Sequence, residues 1–204
     1  WGGAKWIGVA STNDTASQFR GVSDIHALGF HMPETVTRAT LFVAGLGGFR
    51  ATINSRPIDP TAVRASVTEW HNRTFYWADD VTADVAAAAG AGGKVVVAIE
   101  LFKHWWGLSN NFFRVAYGPR SLKAVLVLTD RSGTHTFVLP TSTSTGAWRH
   151  GSGSALFDDL HGGQMIDGRS ATPGWESSQY VASAAAWVIP KAVSGPPGRL
   201  MPHP

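Results

Sequence analysis

Apolar and polar residues alternate in short blocks along most of the chain, and turn-forming residues close each block. That period belongs to strands with one buried face, not to amphipathic helices. Ala39-Thr40-Leu41-Phe42-Val43-Ala44 predicts a strand ended by Gly45-Leu46-Gly47-Gly48. Phe49-Arg50-Ala51-Thr52-Ile53 alternates and enters a turn at Asn54-Ser55-Arg56-Pro57. Val95 to Leu101, Ala124 to Thr129 and Thr134 to Leu139 predict further strands, the last two joined by a hairpin at Asp130-Arg131-Ser132-Gly133. Helical pattern is scant. Asp80-Val81-Thr82 and the alanine run to Ala89-Gly90 predict one short capped helix. Short strands at this spacing predict an all-β chain folded as an antiparallel β-sandwich, with one or two short helices. Residues 1–190 read as a single domain. The last stretch, 191–204, holds Gly195-Pro196-Pro197-Gly198 and Pro202-His203-Pro204 and reads as a linker or a wrapping terminus. No internal repeat is visible.

Composition narrows the function classes. At 204 residues and 44% hydrophobic content the chain can bury one sizeable core. Charged residues make up 15%, the net charge is +3, and no block of Lys or Arg forms a nucleic-acid stripe. Cysteine is absent, which excludes disulfides, a thiolate nucleophile and thiolate metal sites. No apolar stretch reaches membrane-spanning length and no signal peptide is seen. The lack of cysteine neither indicates nor excludes secretion. Asn13-Asp14-Thr15 and Asn72-Arg73-Thr74 have the form of glycan acceptors. Nine tryptophans are the distinctive number. A buried indole N–H needs a partner, so such an excess favours sugar-stacking surfaces or a β-rich core with aromatic edges.

Catalytic patterns are poor. The eight histidines form no H-x-H, HExxH or i,i+4 pair. The Gly45–Gly48 loop precedes a strand, whereas a phosphate loop opens a helix. No G-x-S-x-G elbow occurs. Glu69 and Glu100 can be drawn as a glycosidase pair, and capping or solvated roles stand beside that reading. Carbohydrate binding suits the composition better, because sugars present apolar C–H faces ringed by hydroxyls. Trp105, Trp106, Asn110 and Asn111 offer aromatic faces and amides in one loop, against the alternative that the rings are core or cover a sheet edge. Trp70 and Tyr76 form a second aromatic group with His71, Phe75 and Trp77. Alternation there puts Phe75 and Trp77 on one face, toward the core, and Tyr76 on the other. Asp79-Asp80 and Asp158-Asp159 are candidate calcium ligands or turn and helix caps.

In order along the chain, Ala4-Lys5-Trp6-Ile7-Gly8, Arg38–Gly47, Ile53-Asn54, Phe75–Thr82, Trp105-Trp106-Gly107, Gly163–Arg169 and Gly174-Trp175 resemble the N-terminal β-sandwich domain of bacterial-type α-L-rhamnosidases. The resemblance covers roughly residues 4–187. It extends to the L-rhamnose-binding carbohydrate-binding modules and implies a jelly-roll-like, lectin-type sandwich. By that likeness the domain is non-catalytic and extracellular, and it recognises L-rhamnose in pectic or other glycans with the help of Ca2+. It also implies an adjoining catalytic domain. Asp79 and Asp80, with Trp105 or Trp106, are the positions to which the ion and sugar site transfer. Gln164 stands where the family has Glu, Ile166 where it has Tyr, Gly168 where it has Ala, and Ser55 replaces a Gly. These departures favour a second reading, a structural accessory domain that binds no sugar.

Overall fold

The structure is a computed structural model, and it describes residues 1–8, 17–61, 63–65, 67–107, 117–144, 146–159 and 161–204. The chain begins with β1 (Ile7–Gly8), β2 (Ser17–Asp24), β3 (Val36–Leu46), β4 (Gly48–Ile53), β5 (Arg56–Pro57), β6 (Arg64–Ala65) and β7 (Arg73–Asp80). Helix α1 (Thr82–Gly90) follows, then β8 (Lys94–Phe102), β9 (Ser121–Asp130), β10 (His135–Val138), β11 (Trp148–Ser152), β12 (Ala155–Asp159) and β13 (Gly163–Ile166). Two late strands, β14 (Lys191–Ala192) and β15 (Arg199–Pro202), close the order.

Two sheets face each other. The first runs β14-β1-β9-β3-β7-β15, with β10 also on β9. The second runs β11-β2-β8-β4-β5, with β6 also on β4. Alternation decides what lies between them. Leu41, Val43, Leu122, Ala124, Leu126 and Leu128 point inward from the first sheet. Phe19, Phe49, Ile53, Val95, Val97, Ile99 and Leu101 meet them from the second. Trp148 is fully buried in the same core and its Nε1 donates to the Leu139 carbonyl at 3.3 Å. Helix α1 adds Val85, Ala88 and Ala89 to that core. Its first N–H, on Thr82, donates to Asp80 Oδ1 at 3.0 Å, while Val81, at the cap position itself, offers no side-chain hydrogen bond.

The predicted all-β architecture is the one observed. The glycines after β3 have a packing reason. Gly47 has φ +118°, and a Cβ there would stand 2.1 Å from the Phe102 carbonyl oxygen. The chain therefore turns from β3 into β4 hard against the end of β8. The last stretch wraps the domain: β14 pairs with β1, and β15 lies parallel to β7, where His203 stacks on Trp77 at 4.5 Å. Trp77 packs on the core, but Phe75 does not join it and sets its edge against His203. His203, just past β15, meets both rings, a contact that the sequence alternation alone could not anticipate.

Candidate functional site

The aromatic residues singled out in the sequence divide among three places. Trp70 and Trp106 meet edge to face at 5.2 Å and are 4% and 7% exposed. Tyr117 stacks on Trp106 at 5.6 Å, and Trp106 Nε1 donates to the Pro119 carbonyl at 3.0 Å. The terminal segment covers this group: Gly198 N donates to the Trp70 carbonyl, and Ser194, Pro196 and Pro197 wall the small space beside the rings. A Cβ on Gly195 would stand 2.0 Å from Trp6 Nε1, so the strap lies directly on the cluster. Trp106 is thus an anchor for the turn after β8. Trp105 is only half-buried and sets its edge on His161 at 5.5 Å. Tyr76 is on the outer face of the first sheet, against Trp1 and Phe42. Asn110 and Asn111 lie outside the described residues.

Asp79 and Asp80 do not converge. As neighbours on β7 they face opposite ways. Asp79 is ion-paired with Arg64, and both side chains are less than one-fifth exposed. Asp80 accepts from Thr82 N and Oγ1, with Arg38 at 3.7 Å, and these hydrogen bonds hold its carboxyl below the usual carboxylate range. Among the described residues no three His, Cys, Asp or Glu side chains cluster as a metal cage. Calcium wants six or more oxygens. At Asp79-Asp80 both carboxylates are already engaged, by Arg64 and by Thr82.

The structure instead opens a cleft of about 500 Å³ on the outer face of the second sheet. That is within the usual size of small-molecule sites. The outward positions of β2, β8 and β4 stand side by side, so Gln18, Glu100 and Arg50 form one ladder across three strands. Arg50 Nη2 lies 2.6 Å from Glu100 Oε2, and Gln18 Nε2 donates to Glu100 Oε1 at 3.2 Å. Glu100 is 5% exposed and Arg50 more than half exposed, so the pair presents a guanidinium to the cleft over a buried carboxylate. The Arg50 guanidinium also lies 5.9 Å from the Phe102 ring centre.

One wall rises from that floor. The β12–β13 hairpin supplies Asp158, Asp159, Gly163, Gln164 and Ile166. Asp158 Oδ2 accepts the Lys103 N–H, which ties the hairpin to the end of β8. Asp159 Oδ1 accepts from His161 N and Gly162 N at 2.9 and 2.8 Å, and its carboxyl is held below the ordinary range by them. His104 has φ +43°, and burial lowers its pKa while Asp158 opposes that shift. Elsewhere on the same outer sheet face, outside the cleft's lining, Arg20 pins the 175–180 segment, its guanidinium donating to the carbonyls of Trp175, Ser177 and Tyr180. Trp175 and Trp187 stack at 5.6 Å over Val96 and Ala98. Glu176 follows Trp175; burial raises its pKa, with Arg50 opposing and Glu100 adding to the rise.

Sequence reasoning took Glu100 only as one half of a catalytic pair with Glu69, which is not among the residues lining the cleft. The missed signal was an acid at an outward position of an otherwise apolar strand, opposite an outward Arg50 between Phe49 and Ala51. Such a pairing marks a polar site on a sheet face.

Known proteins share this frame. An α-L-rhamnosidase from Streptomyces avermitilis is 31% identical over 183 residues, covering 88% of this chain and 16% of that protein. The crystal structure of the Streptomyces avermitilis enzyme complexed with L-rhamnose aligns with a TM-score of 0.73 and 25% identity, over 90% of this chain and 16% of that one. The α-L-rhamnosidase from Dictyoglumus thermophilum aligns with a TM-score of 0.78 at 19% identity, over 98% of this chain and 22% of that one, and shares the fold. The chain spans 16–20% of the length of the curated relatives it matches. The family model of the α-L-rhamnosidase N-terminal domain matches residues 34–203, and the chain belongs to that family.

Proposed function

We propose that the chain is a non-catalytic, extracellular sugar-recognition module of an α-L-rhamnosidase-like enzyme, and that the cleft above Arg50, Glu100 and Phe102 receives L-rhamnose or a glycan bearing it. The observation that carries this reading is the Gln18–Glu100–Arg50 ladder at the floor of a concave site. A 6-deoxy sugar offers hydroxyls on its ring and an apolar methyl at one end. Arg50, Asp158 and Gln164 supply donors and acceptors for the first, and Phe102, Val63 and Ile166 supply apolar surface for the second. Family membership and the partial span of the relatives support a module beside a catalytic domain elsewhere in the parent protein.

Calcium assistance is an arm of the test. The pairings of Asp79 and Asp80 favour binding that survives chelation. A second reading has its own observation: Leu156, Met165 and Ile166 on the β12–β13 hairpin are 43%, 58% and 61% exposed, an apolar surface that could dock the rest of the enzyme. Calorimetric titration with L-rhamnose, with calcium and with EDTA, separates the two. Heat of binding that is lost in Arg50→Ala and Glu100→Gln supports the recognition module. No heat in either buffer sinks it and leaves the docking role.

A further inference from the structure

A second cavity, of about 390 Å³, adjoins the cleft. It is lined by Thr52, Pro57, Asp59, Pro60, Thr61 and Glu176, and it shares Arg50 and Val63 with the first. The two are therefore halves of one groove along the outer face of the second sheet, with the Arg50 side chain at the divide. Glu100 at 2.6 Å and the Phe102 ring fix that side chain in place, so the divide has a defined position. The second half also holds an unmet polar group. Thr52 is 5% exposed, and its Oγ1 has no hydrogen-bond partner among the described residues. A buried hydroxyl without a partner is costly, and a bound ligand's hydroxyl meets that need once a small side-chain shift opens Oγ1 to the cavity.

The charge of the groove is equally specific. Glu100, Asp158 and Asp159 line the first half, and Asp59 and Glu176 the second, against the one guanidinium of Arg50. Burial lowers the His104 pKa and so favours its neutral form. Arg64 approaches Asp59 at 3.8 Å but also serves Asp79, and Lys103 acts on Asp159. Five carboxylates against three cations leave an acidic groove on a chain whose net charge is +3. The excess is local, and it repels anionic ligands.

We infer that the groove accepts a neutral oligosaccharide of at least two residues, seated astride Arg50, and rejects sugars carrying a carboxylate in the second half. This rests on the cleft being the sugar site, as proposed above. It turns the expected glycan away from uronate-rich pectic chains and toward neutral rhamnose-containing glycans.

The test is calorimetric titration of the purified chain with four probes: L-rhamnose, a neutral α-linked rhamnose disaccharide, rhamnose linked to galacturonic acid, and the carboxyl-reduced form of that last disaccharide. The neutral disaccharide is expected to bind about tenfold or more tightly than the monosaccharide. The uronate disaccharide is expected to bind about tenfold or more weakly than its reduced counterpart, and the difference should shrink in high salt. Thr52→Val should remove the gain of the second residue without lowering the melting temperature. Equal affinity for monosaccharide and disaccharide overturns the two-residue groove while leaving the first half as a sugar site. Equal affinity for the uronate and its reduced form overturns the charge selection. Failure of every probe to bind overturns the sugar site itself, and this inference with it.

Discussion

Replacing Trp106 by alanine tests whether the paired tryptophans after β8 divide into an anchor and a free ring. Trp106 is 7% exposed, edge to face with Trp70 at 5.2 Å and stacked on Tyr117 at 5.6 Å. Truncating such a buried ring costs about 3–5 kcal/mol. The indole N–H bond to the Pro119 carbonyl at 3.0 Å adds little of this, since Ser121 Oγ also donates to that carbonyl at 3.1 Å. For a domain of this size each kcal/mol moves the melting temperature by about 2–4 °C, so Trp106→Ala should melt roughly 6–20 °C lower. Trp105 is half-buried, sets its edge on His161 and packs only from outside against the Leu46, Trp70 and Trp106 cluster, so Trp105→Ala should cost less, about 1–2 kcal/mol. Trp106→Phe keeps the ring stack and loses the hydrogen bond, and should fall between them. Thermal and urea unfolding of the three variants is the assay. Equal losses for Trp105→Ala and Trp106→Ala, or a larger one for Trp105→Ala, would refute the reasoning.

Two pH profiles follow from buried titratable groups. His150 packs on Phe19 at 5.0 Å, its Nε2 has no hydrogen-bond partner among the described residues, and burial with the Arg120 charge lowers its pKa from 6.5 to about 4. The unfolded chain then binds more protons between those values, so stability falls as pH drops from 6.5 toward 4, by at most roughly 3 kcal/mol from this group. His150→Phe should flatten that limb, and parallel curves for variant and parent would contradict the assignment. Glu176 has the opposite sign: its folded pKa lies above the ordinary 4.5, so its contribution to stability declines as pH rises past that value. Glu176→Gln should match the parent in acid and become the more stable of the two as pH rises. A stability difference independent of pH would count against it.

The core was legible because its strands either keep period two, as β4 does, or run apolar throughout because both faces are covered, as β8 and β9 do. Phe49-Arg50-Ala51-Thr52-Ile53 shows its inward residues directly, and β8 shows its ends. Strand β2 was not read, since Ser17-Gln18-Phe19-Arg20-Gly21 puts one large apolar residue among polar ones. Its Arg20 is buried by a loop more than 150 residues away, a contact that no local pattern carries. The same holds for the site. Trp105 and Trp106 drew attention by composition, yet burial of Trp106 depends on Trp70 and on the strap from 194–198. The Gln18–Glu100–Arg50 ladder exists only once three strands are in register. Acid pairs looked like ion ligands because sequence shows adjacency and hides partners; Arg64 and Thr82 take up Asp79 and Asp80.

The central claim, that the sugar is held over the outer face of the second sheet, is tested most directly by titrating one neutral L-rhamnoside into the parent chain, Arg50→Ala, and the double variant Asp79→Asn/Asp80→Asn. Each variant is first checked for an intact melt. The account predicts that Arg50→Ala binds at least about tenfold more weakly while the double variant and EDTA leave affinity unchanged. Binding that survives Arg50→Ala but vanishes in the double variant, or on chelation, would contradict it.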